Sequence, residues 1–313
     1  MNPLRISIVQ YLNTAPLVRG FTHGPLRGKY QLSFTVPSAC AEDLRSARAD
    51  VAILPAIEYQ RIPNLMILPD LAVASKKSVR SLLLVSKKPL PEVTRVALDR
   101  TSRSTQTLVR ILCAMRWHIA PEFFEADPDL PSMLDRADAA MLIGDPALRL
   151  AIASNAKARR DRSEEWVIPA SLVGVAEPTE FFLLDLVEKW RAMTNLPAVL
   201  AVWAGRPQVV TPELVEDFHQ SLDFGLRHLD SIVSESAALM NLPTRELRRY
   251  FTDNIDYHLD EENLQGLARY YALASELGLI QNVRALSIVA PPGGSAGSLD
   301  FASGRKRERS ASD

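Results

Sequence analysis

The chain is poor in the residues that build metal centres and covalent cross-links. Among 313 residues there are only two cysteines and five histidines. Cys40 and Cys113 have no CxxC spacing and fall in amphipathic segments, so they read as buried reduced thiols. His23, His118, His219, His228 and His258 are scattered, with no HxH or HExxH pattern, and no metal site is expected. There is no G-x-S-x-G elbow, no Walker loop and no dinucleotide fingerprint, and no cofactor is expected. No apolar run approaches the ~20 residues of a membrane span. Lys and Arg number 36 against 37 Asp and Glu, a net charge of −1. That balance gives no broad electrostatic reason to expect a nucleic-acid partner or an anionic membrane. The opening Met1-Asn-Pro-Leu-Arg5 has no basic region followed by an apolar block. The expectation is a cytoplasmic protein without a signal peptide.

What is present is alternation. The length suggests two domains, and strand-like and helix-like segments alternate through the first two hundred residues. Leu4 to Val9 reads as a strand that runs into Asn13-Thr14 and a helix opened by Ala15-Pro16. Gln31 to Val36 reads as a strand, and Ser38 to Ala47 as a helix capped by Ser38. Val51 to Leu54, Val79 to Val85 and Val93 to Leu98 read as further strands. The helix after Leu98 carries Leu108, Ile111, Leu112 and Met115 on one face. Arg48-Ala-Asp-Val-Ala-Ile-Leu54 resembles Arg136-Ala-Asp-Ala-Ala-Met-Leu142, which suggests two lobes on similar plans. The apolar stripe Phe182, Leu186, Trp190 predicts a helix from Thr179 to Asn195. Leu196 to Trp203 reads as a strand, and Thr211-Pro-Glu starts the long helices that run to about Leu279. Beyond Val289, Gly, Ser and Pro dominate, and a basic run, Arg305 to Arg309, follows. That composition reads as a disordered, solvated tail.

Three polar clusters fall where strands give way to helices, the edge at which open α/β sheets bind ligands. Asn13-Thr14 places an amide and a hydroxyl at the end of the first strand. Asp99-Arg-Thr-Ser-Arg-Ser-Thr105 sets the hydroxyls of Thr101, Ser102 and Ser104, with the Arg103 guanidinium, at a helix start. Such a start favours anions, and without a Gly-rich loop a carboxylate fits better than a phosphate. Leu142-Ile-Gly-Asp-Pro146 places Gly144 where a ligand can approach the backbone, and Asp145 where it caps a helix or serves as an acid or base. Ser81, in the apolar run Val79 to Val85, faces either solvent or a pocket, and Ser78 and Ser86 flank it.

Taken together, these segments resemble the chorismate dehydratases of the futalosine route to menaquinone. Val9-Gln-Tyr-Leu-Asn-Thr-Ala-Pro-Leu17 is similar to that family's Ser-Tyr-Leu-Asn-Thr-x-Pro-Leu motif, with Gln10 in place of Ser. Asp50-Val-Ala-Ile-Leu-Pro55 with Glu58-Tyr59, Asp99 to Ser104, Leu142 to Asp145, Leu196-Pro197 through Trp203, and Asn254-Ile-Asp-Tyr257 follow in matching order. The resemblance spans about residues 4 to 281. It implies a two-lobed α/β fold like the type II periplasmic binding proteins, with the ligand in the cleft. Lobe one would comprise residues 1–89 and 200–282, and lobe two residues 90–199. Residues 283–313 would form the tail. It also implies loss of water from chorismate to give 3-[(1-carboxyvinyl)oxy]benzoate. Asn13 and Ser81 would be catalytic. Thr14, Ser38, Thr101, Ser102, Arg103, Ser104, Gly144 and Asp145 would bind substrate. The rival readings are a non-catalytic carboxylate-binding protein on the same fold, the dihydroxynaphthoate-forming enzyme of the same pathway, and a prephenate or arogenate dehydratase. The oligomeric state is not legible from the sequence.

Overall fold

A computed structural model describes residues 3–155, 157–160, 165–175, 177–289, 297–300 and 305–308. Two sheets divide the chain. The first contains β1 (Arg5–Val9), β2 (Gln31–Thr35), β3 (Val51–Pro55) and β4 (Met66–Ser75). The chain then crosses to the second sheet for β5 (Leu82–Ser86), β6 (Arg95–Asp99), β7 (Glu122–Ala126), β8 (Ala139–Ile143), β9 (Arg159–Arg160), β10 (Trp166–Pro169) and β11 (Glu180–Asp185). It returns to the first with β12 (Ala198–Gly205) and ends in β13 (Leu286–Ile288), β14 (Gly297–Asp300) and β15 (Arg305–Glu308). The helices are α1 (Ala15–His23), α2 (Pro37–Arg45), α3 (Ala56–Arg61), α4 (Arg103–Ile111), α5 (Leu130–Arg136), α6 (Gly144–Ser154), α7 (Leu186–Thr194), α8 (Pro212–Arg227), α9 (Leu229–Met240), α10 (Thr244–Arg249) and α11 (Glu261–Glu276).

The short internal repeat marks a shared plan. The strand order β2-β1-β3-β12-β4 in one sheet parallels β7-β6-β8-β5-β11 in the other. In each, two parallel pairings are followed by two antiparallel ones. The repeated segments supply β3 and β8, every residue of which is buried, as expected of strands covered on both faces. The Asp ahead of each does the same local work. Asp50 Oδ2 accepts the Arg5 N–H at 2.8 Å, and Asp138 Oδ2 accepts those of Thr94 and Arg95 at 2.9 and 3.2 Å. Each carboxylate thereby sets the register of the neighbouring parallel strand. Burial alone would raise the Asp138 carboxyl. The Lys88 ammonium and the Thr94 donors overcome that and hold it well below the usual carboxylate range.

Some boundaries differ from the sequence reading. β5 lies within 1–89 yet pairs with β8 and β11, so the crossing falls between Ser75 and Leu82, not near residue 89. Antiparallel pairing with β8 fills the vacant edge of the second sheet. The helix expected from Thr179 is β11 followed by α7, because the buried Asp185 ends the strand and caps the helix through the Val187 and Glu188 N–H groups. Helix α2 begins at Pro37 rather than behind a Ser38 cap, since proline at the first position fixes the start. The segment expected as a tail adds strands to the free edge of β4. The buried Leu286 anchors it, the Tyr59 hydroxyl accepts the Ser287 N–H at 2.8 Å, and Gln60 Oε1 accepts the Arg284 N–H at 2.7 Å. The rest of that expected tail, 290–296, 301–304 and 309–313, lies outside the described residues.

The C-terminal helices cover the first sheet, and α8 lies directly on α1. A Cβ at Gly225 would collide with the Pro16 carbonyl, so close helix approach accounts for this glycine. No helix among the described residues is long and apolar enough to cross a membrane.

Asp138→Asn is expected to lower unfolding stability at neutral pH by about 1–3 kcal/mol, the value of charge-assisted hydrogen bonds. The native carboxyl is depressed, so its contribution is complete above the unfolded pKa. It fades as pH falls from about 5 toward 2. Denaturant titrations of both proteins across that range should show the difference shrinking.

Candidate functional site

Both sheets direct the carboxyl ends of their parallel strands toward one cavity between the lobes. The space there is about 490 Å³, part of it open to solvent. Its apolar walls include Val9, Ile53, Val73, Ile143 and Leu200. Its polar features come almost entirely from helix starts. Thr14 before α1, Pro37 of α2, Ser102 before α4 and Gly144 of α6 all line it. None of these four helices carries a side-chain cap on its first N–H groups. A first N–H of α2 and of α6 is taken by the Thr101 and Ser81 carbonyls, so the partial positive charge at the wall comes chiefly from the α4 start, worth roughly 0.3–1 kcal/mol for a nearby anion. No Asp, Glu, His, Lys or Arg lines the cavity among the described residues.

The structure brings five of the expected residues to this wall: Asn13, Thr14, Ser102, Ser104 and Gly144. Asn13 is buried, and its amide oxygen has no hydrogen-bond partner among the described residues. An unpaired buried acceptor costs about 1–3 kcal/mol and marks a group awaiting a donor. Thr14 is occupied. Its hydroxyl donates to the Val9 and Tyr11 carbonyls at 2.7 and 2.9 Å and so fastens the turn that presents Asn13. The Ser102 hydroxyl donates to Thr105 Oγ1 at 2.8 Å, which leaves the first turn of α4 open.

The other expected residues lie off the wall, and most hold the lobes together. Arg103 does not offer a free guanidinium. It reaches across to Glu42 at 2.9 Å and Glu58 at 3.1 Å. Glu58 is fully buried and also meets Arg45 at 2.5 Å and Arg61 at 3.0 Å. Asp145 Oδ1 accepts the Leu12 N–H at 3.0 Å, across the cleft. Burial raises its carboxyl, and the Leu12 donor opposes that shift. Ser38 contributes its backbone N–H, which donates to the Thr101 carbonyl at 3.0 Å. The Thr101 hydroxyl donates to Asp99 Oδ1 at 2.7 Å. Ser104, on the wall, also accepts the Ile57 N–H at 3.1 Å from the opposite lobe. The lobes are therefore closed on each other.

Ser81 is fully buried and its hydroxyl accepts from Tyr250 at 2.9 Å. Its neighbour Leu82 lines the cavity, whereas Ser81, in the bend before β5, is not among the lining residues. Its carbonyl accepts the Gly144 N–H at 2.8 Å, so the backbone of Ser81 seats the start of α6. The flanking serines are also engaged: Ser86 donates to the Lys88 carbonyl at 2.6 Å, and Ser78 accepts from Asn254.

Tyr11 is a wall residue that the residue types alone did not single out. Gly144 has φ +64°, and a Cβ built there would lie 2.6 Å from Tyr11 Cε1. Glycine is thus required twice, by its left-handed backbone and by the ring against it. Burial pushes the Tyr11 phenol up to about 12, the Thr101 side chain pulls it back, and the Asp99 and Asp145 charges add to the rise. The signal was its place between the end of β1 and Asn13.

Gly144→Ala is expected to cost about 1–3 kcal/mol through backbone strain alone. Thermal unfolding should report at least that loss, because the Tyr11 ring must also move. Arg103→Ala should favour open lobes, seen as a larger radius of gyration by small-angle scattering than for the wild-type protein.

Comparison with known proteins agrees with this architecture. A chorismate dehydratase of Thermus thermophilus is 29% identical over 285 residues, covering 89% of this chain and 97% of the relative. Among solved structures, a protein of Archaeoglobus fulgidus superposes with a TM-score of 0.67 at 18% identity, covering 89% of this chain and 98% of that one. The alkanesulfonate-binding protein SsuA of Xanthomonas axonopodis pv. citri, bound to MOPS, superposes at 0.60 with 13% identity, covering 89% and 94%. These two share the fold, a two-lobed α/β architecture of the periplasmic-binding-protein type. The sequence profile described as menaquinone biosynthesis matches residues 4–276, and the chain belongs to that family.

Proposed function

We propose that this protein dehydrates chorismate to 3-[(1-carboxyvinyl)oxy]benzoate in the cytoplasm, as the entry step of the futalosine route to menaquinone. The observation that carries this reading is the chemistry of the cavity. It is a mostly apolar chamber rimmed by helix starts, and no carboxylate, imidazole or amine that could act as a general base lines it among the described residues. Chorismate has a ring, two carboxylates and a departing hydroxyl. The ring suits the apolar walls, and a carboxylate suits the uncapped start of α4. Arg103 is assigned to lobe closure rather than to the substrate.

A cavity without a general base favours a reaction that brings its own. In this reading the enolpyruvyl carboxylate takes the ring proton, and aromatisation drives the loss of water. The protein supplies position and exclusion of solvent. Asn13 holds the substrate through its unpaired amide oxygen, which accepts from the substrate hydroxyl. Ser81 supports the α6 start from behind. Asp145 is assigned to the cross-lobe bond rather than to proton transfer. Substrate entry requires the lobes to part, and the cross-lobe bonds re-form around it.

Incubation with chorismate, followed by chromatography, should show its conversion to an aromatic product lighter by one water. Asn13→Ala should lower turnover about 10²-fold or more, the usual effect of removing a preorganised hydrogen-bonding group. Calorimetric binding of chorismate without any turnover would instead identify a carboxylate-binding protein on the same fold.

A further inference from the structure

We infer that Tyr11 is the acid that protonates the departing hydroxyl. The inference rests on the chorismate dehydratase reading and assigns the half of that reaction which a substrate-borne base leaves unserved. A ring carboxylate or its enolpyruvyl counterpart can accept the carbon-bound proton. Neither can at the same moment donate one to a hydroxyl leaving from the ring. Expelled as hydroxide into a mostly apolar cavity, that group would be a poor leaving group.

The other hydroxyls on the wall are weak acids. Thr14 has its proton engaged with backbone carbonyls and Ser102 with Thr105, while Ser104 and Thr105 accept from Ile57 and Ser102. All four are aliphatic alcohols, no more acidic than water. Tyr11 is a phenol, and so the strongest acid among the described lining side chains. It remains protonated at neutral pH, and even at about 12 it is a better donor than any alcohol.

Its placement is built rather than incidental. The ring leaves the end of β1 and lies against Gly144 at the start of α6, which holds it across the cleft. The phenol interacts with the Thr101 side chain, whose hydroxyl reaches Asp99 Oδ1 at 2.7 Å. Asp99 is fully buried, and its Oδ2 has no partner among the described residues. Asp99 from β6 and Asp145 from α6 are the carboxylates that act on the phenol, and both disfavour a lasting phenolate. Proton donation is thus followed by prompt recovery of the proton.

The step balances. The ring C–H bond breaks toward the enolpyruvyl carboxylate, and its electron pair forms the new ring π bond. The C–O bond breaks with its pair onto oxygen, which takes the Tyr11 proton and leaves as water. The phenolate regains a proton from the carboxylic acid just formed. One water is lost and the enzyme is unchanged.

The test is Tyr11→Phe in the full chain, assayed on chorismate and on an analogue carrying fluoride in place of the departing hydroxyl. Phenylalanine keeps the ring against Gly144, so folding and KM should change little. The expected kcat on chorismate is about 10²–10⁴-fold lower, the range for removing a general acid. Fluoride leaves without a proton, so the variant should match the wild-type protein on the analogue. Equal loss on both substrates would overturn the inference in favour of a packing role. A variant with near wild-type kcat on chorismate would overturn it outright while leaving the dehydratase reading intact. If the wild-type protein does not consume chorismate, the dehydratase reading falls and this inference with it.

Discussion

One buried carboxylate holds the place where the chain changes lobes. Asp185 Oδ2 accepts the Val79 and Arg80 N–H groups at 3.0 and 2.6 Å on the outward crossing. Its Oδ1 accepts those of Val187 and Glu188 at 2.9 and 3.1 Å, where α7 leads back. Both connections are thus pinned to a single side chain. Burial lifts its carboxyl to about 6 against the pull of the Arg80, Glu188 and Val187 N–H groups. Everything on the far side of the cleft depends on this point. The angle between the lobes decides whether the α4 and α6 starts face the turn after β1 or open water.

With the hinge pinned, closure is made by polar contacts that double as cavity wall. Leu12 to Asp145, Ser38 to Thr101, Ile57 to Ser104 and Arg103 to Glu42 and Glu58 all cross the cleft. Such bonds exchange readily with water and contribute little net energy each. A set of them can open for substrate and re-form around it. Apolar contact joins the lobes as well, since one buried cluster runs from Ile6 and Ile53 in the first lobe to Leu98, Leu108 and Met141 in the second.

The shared framework explains why function is easy to mistake on this fold. A binding protein and an enzyme share the sheets, the crossings and the helix starts. What distinguishes them is a few wall residues: here an unpaired amide at Asn13, a phenol at Tyr11 seated on a glycine, and no charged side chain among the described lining residues. In the proposed reading, these hold an anionic ring compound that supplies its own base.

Much of this was legible in the chain itself. The alternating pattern predicted an α/β fold, and the seven-residue repeat marked β3 and β8 with their capping Asp50 and Asp138, because local periodicity and turn chemistry act within a few residues. The strand-end clusters placed Asn13, Ser102, Ser104 and Gly144 on one wall, because strand ends converge in this class of sheet. Tertiary structure alone decided the rest. Arg103 and Asp145 carry the chemistry of ligand binding in sequence, yet each has a partner more than forty residues away and is spent on closure. Ser81 and Leu82 differ by one residue, yet Leu82 lines the cavity while the Ser81 hydroxyl is taken by Tyr250, a residue far along the chain. The segment after Val289 looks unstructured by composition, yet it supplies β14 and β15 because β13, held on the edge of β4, offers them a strand to pair with. In each case the deciding contact is between residues distant in sequence, and no local pattern encodes it.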